Sequence, residues 1–339
     1  MAEPAGANDP VRVRVPAKIN LRLSVGAPRA DGFHPLDTVY QAISLYDEIT
    51  IRPADRLRLT LDGVGADTLP TDGGNLAVRA ATLLADRLGV PPNVAIHLHK
   101  RIPLAGGLAG GSADAAAVLV GCDALWGGGH DPAALAVLAA DLGSDVPFLV
   151  IGGTARGTGR GELVEPVPAA GPWHWVVAAA DGGLSTPRVY GQLDLLRAAG
   201  AAPPAALASE RDAAASYGDA VGSARDGIAA EATGHTPSPV PDRLLAALRS
   251  DDPADLAAAL ANDLQPASIA LRPALRRTLD AGLAAGALAA MVSGSGPSCL
   301  CLAADAADAA RIAAELTERG VCSAAHVAVG PVAGATVLA

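Results

Sequence analysis

The glycine-rich stretch PLAGGLAGGS at residues 103–112 most constrains how this chain folds, because four of its ten residues are glycine. Residues 93–101 before it alternate in polarity, which predicts a strand, and apolar residues at helical spacing after it predict a helix from about Ser112. A glycine loop in this position frees backbone N–H groups to converge on an anion, and the helix adds the positive end of its dipole. The sequence therefore predicts a phosphate-binding loop. A flexible linker is the alternative, but it does not explain the position between a strand and a helix.

The loop does not match the commoner nucleotide-binding motifs. No lysine follows the glycines in the GxxxxGK[ST] spacing, and GxGxxG is absent, so neither a Walker loop nor a Rossmann fingerprint is predicted. The HRD and DFG motifs of protein kinases are also missing. The groups that react must therefore come from other parts of the chain.

Length and charge narrow the class of protein. A chain of 339 residues exceeds the usual size of a single core, so two domains that share a cleft are expected. The formal net charge is -10 without a local basic cluster, which argues against nucleic-acid partners and favours a small-molecule partner. The sequence has neither a secretion signal nor an apolar run long enough for a membrane span, which indicates a cytoplasmic protein with no membrane partner. The sequence leaves the oligomeric state open.

The cysteines are expected to be buried, reduced thiols, because they form no CxxC pair and have no histidine at metal-ligand spacing. His97 and His99 share one face of the predicted strand at 93–101, but a polar strand face explains that spacing better than a metal site does. The cysteines are Cys122, Cys299, Cys301 and Cys322.

Periodicity predicts an α+β protein. Residues 11–25 alternate strictly, which predicts a half-buried strand with Lys18 and Asn20 on its polar face. Residues 198–240 are rich in Ala, Gly, Ser and Pro, which predicts a weakly ordered insertion. Further strands are expected at 39–51, 57–61, 152–158, 162–167, 174–180, 289–293, 299–303 and 326–330. Helices are expected at 75–89, 131–141, after Ser144-Asp145, and at 241–261, 272–285 and 305–319.

Three separated motifs resemble the kinases named for galactokinase, homoserine kinase, mevalonate kinase and phosphomevalonate kinase, the GHMP kinases. The motifs are PAKINL at 16–21, PLAGGLAGGSADAA at 103–116 and VSGSGPS at 292–298. Further segments are similar to the members that act on a cytidine diphosphate-linked alcohol: ADGFHPLDTVYQ at 30–41, GSDVPFLVIGG at 143–153 and NDLQP at 262–266.

The resemblance implies a two-domain GHMP kinase fold with a cleft between the domains. A ribosomal-S5-like, ATP-binding N-terminal domain is expected at 11–170, and a ferredoxin-like C-terminal domain at 171–335 with the flexible insertion at 198–240. It also implies that ATP with Mg²⁺ is bound and that the γ-phosphate is transferred to a hydroxyl group.

By resemblance, Lys18 and Asp145 are the catalytic pair, with Asp145 as proton acceptor and Lys18 as its electrostatic neighbour. A carboxylate within reach of an alcohol can take its proton as the bond to phosphorus forms, and a nearby lysine keeps that carboxylate ionised. The alternative for Asp145 is a helix N-cap, and for Lys18 a solvated position on the polar strand face. Only two of the 25 basic residues are lysines, Lys18 and Lys100, which favours a specific role for Lys18.

The resemblance also assigns the nucleotide contacts. Asn75 is expected either to contact the adenine or ribose or to act as a helix N-cap. Ser112 is expected to cap the following helix or to help hold Mg²⁺, and Asp114 to be structural. The family usually has a second serine where Ala113 lies and a glycine where Ala109 lies, so any contact of that second hydroxyl is absent. The ATP-binding residues expected from the loop are Pro103, Leu104, Ala105, Gly106, Gly107, Leu108, Ala109, Gly110, Gly111, Ser112 and Ala113.

Contacts with the second substrate are implied in the same way. Phe33 and His34 match a segment that stacks on and hydrogen-bonds to a cytosine base, and Tyr190 matches the opposing aromatic residue. The family usually has Tyr where this chain has Phe33, so stacking survives and a phenolic hydrogen bond does not. Core packing is the alternative for these rings. Asn20, Thr186 and Asp145 complete the expected substrate contacts.

The glycine-rich turn SGSG at 293–296 shapes the cleft by resemblance, although an ordinary β-turn would use the same residues. Two other functions stay open at this point. A kinase of the same family that acts on homoserine or mevalonate would need no base-binding residues, and a non-catalytic nucleotide-binding regulator would not need Lys18 and Asp145.

Overall fold

The computed structural model describes residues 9–200 and 235–339, so most of the insertion predicted at 198–240 lies outside the described residues. The strands are β1 (Val11–Val25), β2 (Leu36–Pro53), β3 (Arg58–Gly63), β4 (Val94–Lys100), β5 (Thr154–Thr158), β6 (Leu163–Pro166), β7 (Trp173–Ala179), β8 (Ala261–Asn262), β9 (Ala289–Val292), β10 (Cys299–Ala303), β11 (Ala324–Gly330) and β12 (Thr336–Leu338). The helices are α1 (Leu76–Leu88), α2 (Gly110–Trp126), α3 (Pro132–Ala139), α4 (Val146–Ile151), α5 (Thr186–Ala198), α6 (Asp242–Ala247), α7 (Pro253–Ala259), α8 (Gln265–Leu271), α9 (Ala274–Ala284) and α10 (Ala306–Glu318).

The first sheet has the strand order β12-β1-β2-β4-β3, and β5 joins it through β2, β6 through β5 and β8 through β1. The pairing is mostly antiparallel, while the β3–β4 and β1–β8 pairs are parallel. Helix α2 packs across β1 and β2, with α1 and α4 beside it. Gly121 of α2 permits this close packing, because a Cβ atom there would collide with Ile51 and Val13.

The second sheet is antiparallel, with the order β11-β7-β10-β9. Helices α9 and α10 cover one of its faces, and residues of the opposite face, including Trp175, Met291 and Leu300, join the core of the first sheet. The side chain of Trp175 also donates a 2.9 Å hydrogen bond to Gln41 Oε1 on β2. The two sheets therefore share one continuous core, and the predicted α+β class is confirmed.

The division into domains at residue 170 stays a prediction. The second sheet begins close to this point, at Trp173, but β8 and β12 return to pair with β1. The end of the chain thus adds a strand to the first sheet.

The description of β1 as a half-buried strand was wrong beyond its first residues. From Val15 to Leu21 every side chain is buried, including Lys18 and Asn20 of the polar face. The glycine-rich loop covers this part of β1, and the Lys18 amide donates a 3.2 Å hydrogen bond to the carbonyl of Leu108. The polar face of β1 therefore lies inside the molecule.

One helix prediction is wrong, and two helices were not predicted. The single helix expected at 241–261 is two helices, α6 and α7, because Asp252 caps a new helix by accepting a 2.8 Å bond from the Ala254 amide. Helix α2 begins at Gly110, two residues before the predicted start at Ser112. Helices α5 and α8 were not predicted, because each buries only three residues and so gives a weak periodic pattern.

The described residues contain no helix with the length and apolar character that crossing a bilayer requires. The four cysteines are free thiols, of which three are buried and Cys322 is half-buried. Burial raises the pKa of each of the four thiols, which makes them poor nucleophiles.

A buried charged cluster of Lys100, Asp47 and Asp114 holds the base of the glycine-rich loop. Lys100 is the last residue of β4, and its ammonium contacts Asp47 on β2 and, at 2.6 Å, Asp114 on α2. Asp47 also accepts hydrogen bonds from the amides of Arg101 and Ile102, at 2.6 and 2.9 Å. The cluster thereby fixes both ends of the loop to the sheet, consistent with a structural role for Asp114.

We expect Lys100→Met to lower the free energy of unfolding by about 3–5 kcal/mol, because two carboxylates would remain buried without their cation. Chemical denaturation monitored by circular dichroism measures this change. Arg58→Met on the exposed face of the neighbouring strand removes one cation without burying a charge, and its effect should stay within about 0.5 kcal/mol. A similar small loss for Lys100→Met would show that the cluster does not hold the loop.

Candidate active site

A cavity of about 770 Å³ lies where the β9–β10 turn of the second sheet meets β1 of the first. The glycine-rich loop, the beginning of α4, the β5–β6 turn and α5 complete its walls. Most residues predicted for the site line this cavity: Lys18, Asn20, Phe33, His34, Ala105, Gly106, Gly107, Ala109, Gly110, Gly111, Ser112, Asp145, Thr186 and Tyr190.

Five predicted nucleotide contacts do not line the cavity. Leu108 and Ala113 are fully buried in the core, and Pro103 and Leu104 lie before the part of the loop that faces the cavity. Asn75 caps α1, because its Oδ1 accepts a 2.9 Å bond from the Ala77 amide and its Nδ2 donates 2.8 Å to the Pro70 carbonyl. The structure therefore gives Asn75 the N-cap role that the sequence left as an alternative.

Close contact with the SGSG turn fixes the glycine-rich loop. Ser293 Oγ donates a 3.1 Å hydrogen bond to the Gly107 carbonyl, and the Ser298 amide donates 3.3 Å to the Gly106 carbonyl. Gly107 has a φ of 74°, and a Cβ atom there would overlap the carbonyl oxygen of Ser293. Glycine is required at this position, and the loop is not a free linker.

Side chains of the NDLQP segment hold the SGSG turn in place. Asn262 Nδ2 donates to the carbonyls of Val292 and Gly294, at 2.9 and 2.8 Å. Gln265 Oε1 accepts a 2.8 Å bond from the Val292 amide. Asn262 and Gln265 are both buried, so this support excludes water and is rigid.

Lys18 and Asp145 form an ion pair in the wall of the cavity, with 3.8 Å between Lys18 Nζ and Asp145 Oδ2. Lys18 Nζ also donates a 2.8 Å hydrogen bond to Asn20 Oδ1, and Asn20 Nδ2 donates 2.8 Å to Thr38 Oγ1. The Thr38 hydroxyl donates to the Arg22 carbonyl at 2.6 Å. This chain of bonds fixes the Lys18 ammonium on the buried side of the cavity.

The carboxylate of Asp145 is not used as a helix cap. Asp145 occupies the N-cap position of α4, but its side chain makes no capping hydrogen bond, which removes the alternative role considered for it. Tyr40 lies beside it, and burial and the Asp145 carboxylate both raise the pKa of this phenol well above its usual value. The Asp145 carboxylate therefore lines the cavity between the Lys18 ammonium and a neutral phenol, where it can contact a ligand.

Aromatic residues also line the cavity. The rings of His34 and Tyr190 lie 4.9 Å apart at an interplanar angle of 43°, and His34 Nε2 contacts Asp194 at 3.0 Å. Phe33 is 49% exposed, and the guanidinium of Arg160 lies 5.1 Å from its ring centroid. These rings form an amphipathic region that a flat heterocycle can enter.

Comparison with known proteins agrees with this geometry. The family models described as GHMP kinases N terminal domain and GHMP kinases C terminal match residues 75–153 and 244–322. A relative from Salinispora tropica named 4-diphosphocytidyl-2-C-methyl-D-erythritol kinase is 59% identical over 99% of this chain and 96% of its own length. The chain belongs to the GHMP kinase family.

Another relative and two solved structures are also similar to this GHMP kinase. A protein of the same name from Streptomyces avermitilis is 48% identical over 97% of this chain and 99% of its own. The crystal structure of a 4-(cytidine 5'-diphospho)-2C-methyl-D-erythritol kinase superimposes with a TM-score of 0.68 at 30% identity, and covers 94% of this chain and 98% of that one. A homoserine kinase from Cytophaga hutchinsonii, at 20% identity, 100% coverage of both chains and a TM-score of 0.68, shares the fold.

Sequence reasoning missed several polar residues in the cavity of this GHMP kinase, among them Tyr40, Arg160 and Asp194. Tyr40 belongs to an apolar strand pattern in which nothing marks a functional side chain. Arg160 lies in a glycine-rich turn, GTGRGE, whose bracketing glycines were the available signal. Asp194 lies on α5, the helix that periodicity did not predict.

Ala109 adopts a left-handed backbone conformation, with a φ of 58°, at the position where the family usually has glycine. We expect Ala109→Gly to raise the free energy of unfolding by about 1 kcal/mol, because glycine removes the steric cost of this conformation. Ala113→Gly, four residues later inside α2, should instead lower it by at least about 1 kcal/mol. Thermal unfolding of the two variants measures these opposite changes in stability. An equal loss of stability in both variants would contradict the strain at Ala109.

Proposed function

We propose that this GHMP kinase transfers the γ-phosphate of ATP to the 2-hydroxyl of 4-diphosphocytidyl-2-C-methyl-D-erythritol, a step in the non-mevalonate route to isoprenoid precursors. One observation carries the proposal: a single cavity joins the glycine-rich loop, the Lys18–Asp145 pair and the aromatic region at Phe33, His34 and Tyr190. These three parts match the groups of the reacting pair, which are the ATP phosphates, the hydroxyl that reacts and the cytosine base. The near-full-length identity to relatives of that name supports it.

The glycine-rich loop binds the phosphates of ATP. Gly106, Gly107, Gly110 and Gly111 bring backbone groups to the cavity without side chains, and α2 points its N-terminus at the same space. A helix N-terminus carries partial positive charge, so this arrangement suits an anionic phosphate chain although no loop lysine is present. The contact with the SGSG turn holds the loop in this shape before ATP arrives.

Asp145 acts as the base that accepts the proton of the substrate hydroxyl. An alcohol becomes a stronger nucleophile as a neighbouring carboxylate takes its proton, and positioning together with charge stabilisation supplies most of the catalysis in phosphoryl transfer. Lys18, fixed by Asn20 and Thr38, supports the negative charge of Asp145 and of the transferred phosphoryl group. Its buried position strengthens both interactions because little water screens it.

The residues that face the phosphates fit a magnesium ion carried by the nucleotide. Mg²⁺ prefers oxygen ligands and usually keeps several waters, so it needs few protein ligands, and the Ser112 hydroxyl lines the cavity at the first turn of α2. We assign Ser112 to this role. When bound, the ion neutralises phosphate charge.

The cytosine base stacks between Phe33 and Tyr190, next to His34. Stacking uses the faces of the rings, so Phe33 serves this purpose without a phenolic oxygen. Arg160, beside Phe33, is a cation between the aromatic region and the reaction centre, since its neighbour Gly161 lies against the Tyr40 hydroxyl. This position suits the diphosphate that links the base to the alcohol. Since ATP is an intracellular substrate, we place the reaction in the cytoplasm.

A coupled assay of ADP release tests the substrate directly. We expect the cytidyl compound to be phosphorylated with a kcat/KM at least about 100-fold above that of its fragment without CMP, homoserine or mevalonate, because only it fills the aromatic region. Preference for homoserine or mevalonate would overturn the proposal in favour of another activity of the family.

We expect Asp145→Asn to lower kcat by about 10²- to 10⁴-fold, because the amide cannot accept the proton, while ATP binding measured by calorimetry is retained. Asp141→Asn makes the same change at an exposed position just before Gly143 and should leave kcat unchanged. Unchanged turnover in Asp145→Asn would remove Asp145 as the base. Absence of turnover in the wild-type protein, with ATP still bound, would indicate a non-catalytic regulator.

A further inference from the structure

His34 is held by one carboxylate from a distant part of the chain. Its Nε2 lies 3.0 and 3.1 Å from the two carboxylate oxygens of Asp194 on α5. The side chain of His34 is 8% exposed and lines the cavity, and Tyr190, one turn before Asp194, packs against its ring. His34 Nδ1 makes no hydrogen bond with any of the residues that the structure describes. One nitrogen is thus fixed by protein, and the other is available to a ligand.

The partner of Nε2 determines the chemistry of Nδ1. An ionised carboxylate only accepts hydrogen bonds, so Nε2 must carry the hydrogen that it donates to Asp194. In a neutral imidazole the other ring nitrogen then has a free lone pair and acts as an acceptor. Arg197, three residues further along α5, interacts electrostatically with Asp194.

We propose that Asp194 is a positioning residue that makes His34 Nδ1 an acceptor for the 4-amino group of cytosine, and that it thereby sets selectivity for cytosine over uracil. The inference rests on the proposed function, because it assumes that a pyrimidine base enters the aromatic region. Cytosine presents an N–H₂ donor at position 4, whereas uracil presents a carbonyl oxygen there. An acceptor at Nδ1 can accept a hydrogen bond from the amino group of cytosine. With uracil, its lone pair would face a lone pair of the carbonyl oxygen.

A buried acceptor that loses its hydrogen bond should have a large effect on the selectivity for cytosine over uracil. A site built to hydrogen-bond one group rejects an analogue that cannot make the bond, because its own polar atom then stays unpaired in a desolvated position. His34 meets this condition, since its side chain is almost fully buried and its ring is confined between Asp194 and Tyr190. Without Asp194 either ring nitrogen could carry the hydrogen, and the ring could pair with either base.

Kinetics with paired substrates test the proposal. For the wild-type protein we expect kcat/KM for the cytidyl compound to exceed that for its uridyl analogue by about 100-fold or more. Asp194→Ala, at a partly exposed helical position that tolerates alanine, should reduce this ratio about tenfold or more, mainly through KM, while the KM for ATP stays the same. Arg188→Gln, an exposed change on the same helix outside the cavity, should leave the ratio unchanged.

The tautomer itself can be observed. In long-range ¹H–¹⁵N spectra of protein labelled at histidine, with His34 assigned from His34→Gln, the wild-type ring should carry its hydrogen on Nε2. Asp194→Ala should show a mixture of the two tautomers, a change that loss of packing alone would not produce. A wild-type ring with its hydrogen on Nδ1, or on both nitrogens, would overturn the proposal.

The kinetic outcomes distinguish failure of the proposed function from failure of the role of Asp194. If the wild-type protein phosphorylates neither the cytidyl nor the uridyl compound, the proposed function fails. If it phosphorylates the cytidyl compound but Asp194→Ala keeps the wild-type ratio, the proposed function stands and the role of Asp194 is refuted.

Discussion

The close approach of the glycine-rich loop to the SGSG turn is the constraint on which the rest of the site depends. Gly107 lies in the loop after β4 of the first sheet and Ser293 in the β9–β10 turn of the second, and they meet so closely that no side chain fits between them. This contact buries the polar face of β1 beneath the loop and closes one side of the cavity. The buried amides of Asn262 and Gln265 hold the turn, so the phosphate-binding surface is shaped by protein contacts before any ligand binds.

The two lysines of the chain show how one residue type serves two purposes. Both are buried and both face aspartates, although the sequence has arginine at its other basic positions. Lys100 contacts two carboxylates in a closed core and anchors the loop, whereas Lys18 lies 3.8 Å from Asp145 beside an open cavity. An ammonium in a closed cluster can only stabilise the fold, while one at a cavity wall can also act on a ligand.

Much of the fold could be predicted from local sequence. The alternation at 11–25, the strand at 93–101 and the glycine loop before α2 specify elements whose hydrophobic periodicity is strong. Helices α5 and α8 were missed because few of their residues are buried, and the helix at 241–261 was overextended because an internal cap at Asp252 competes with its apolar pattern. Local propensity decides elements only where it agrees with tertiary packing.

The sequence by itself determined the reaction class, because motifs at 16–21, 103–116 and 292–298 name the family and Lys18 and Asp145 carry groups suited to phosphoryl transfer. Only the tertiary structure decided that Asn75 caps a helix, that Asp145 does not, and that Asp194 reaches His34 from 160 positions away. The physical reason is that the sequence alone allows each polar side chain several possible hydrogen-bond partners. Folding excludes all but those that the burial of β1 and the meeting of the two sheets bring within hydrogen-bonding distance.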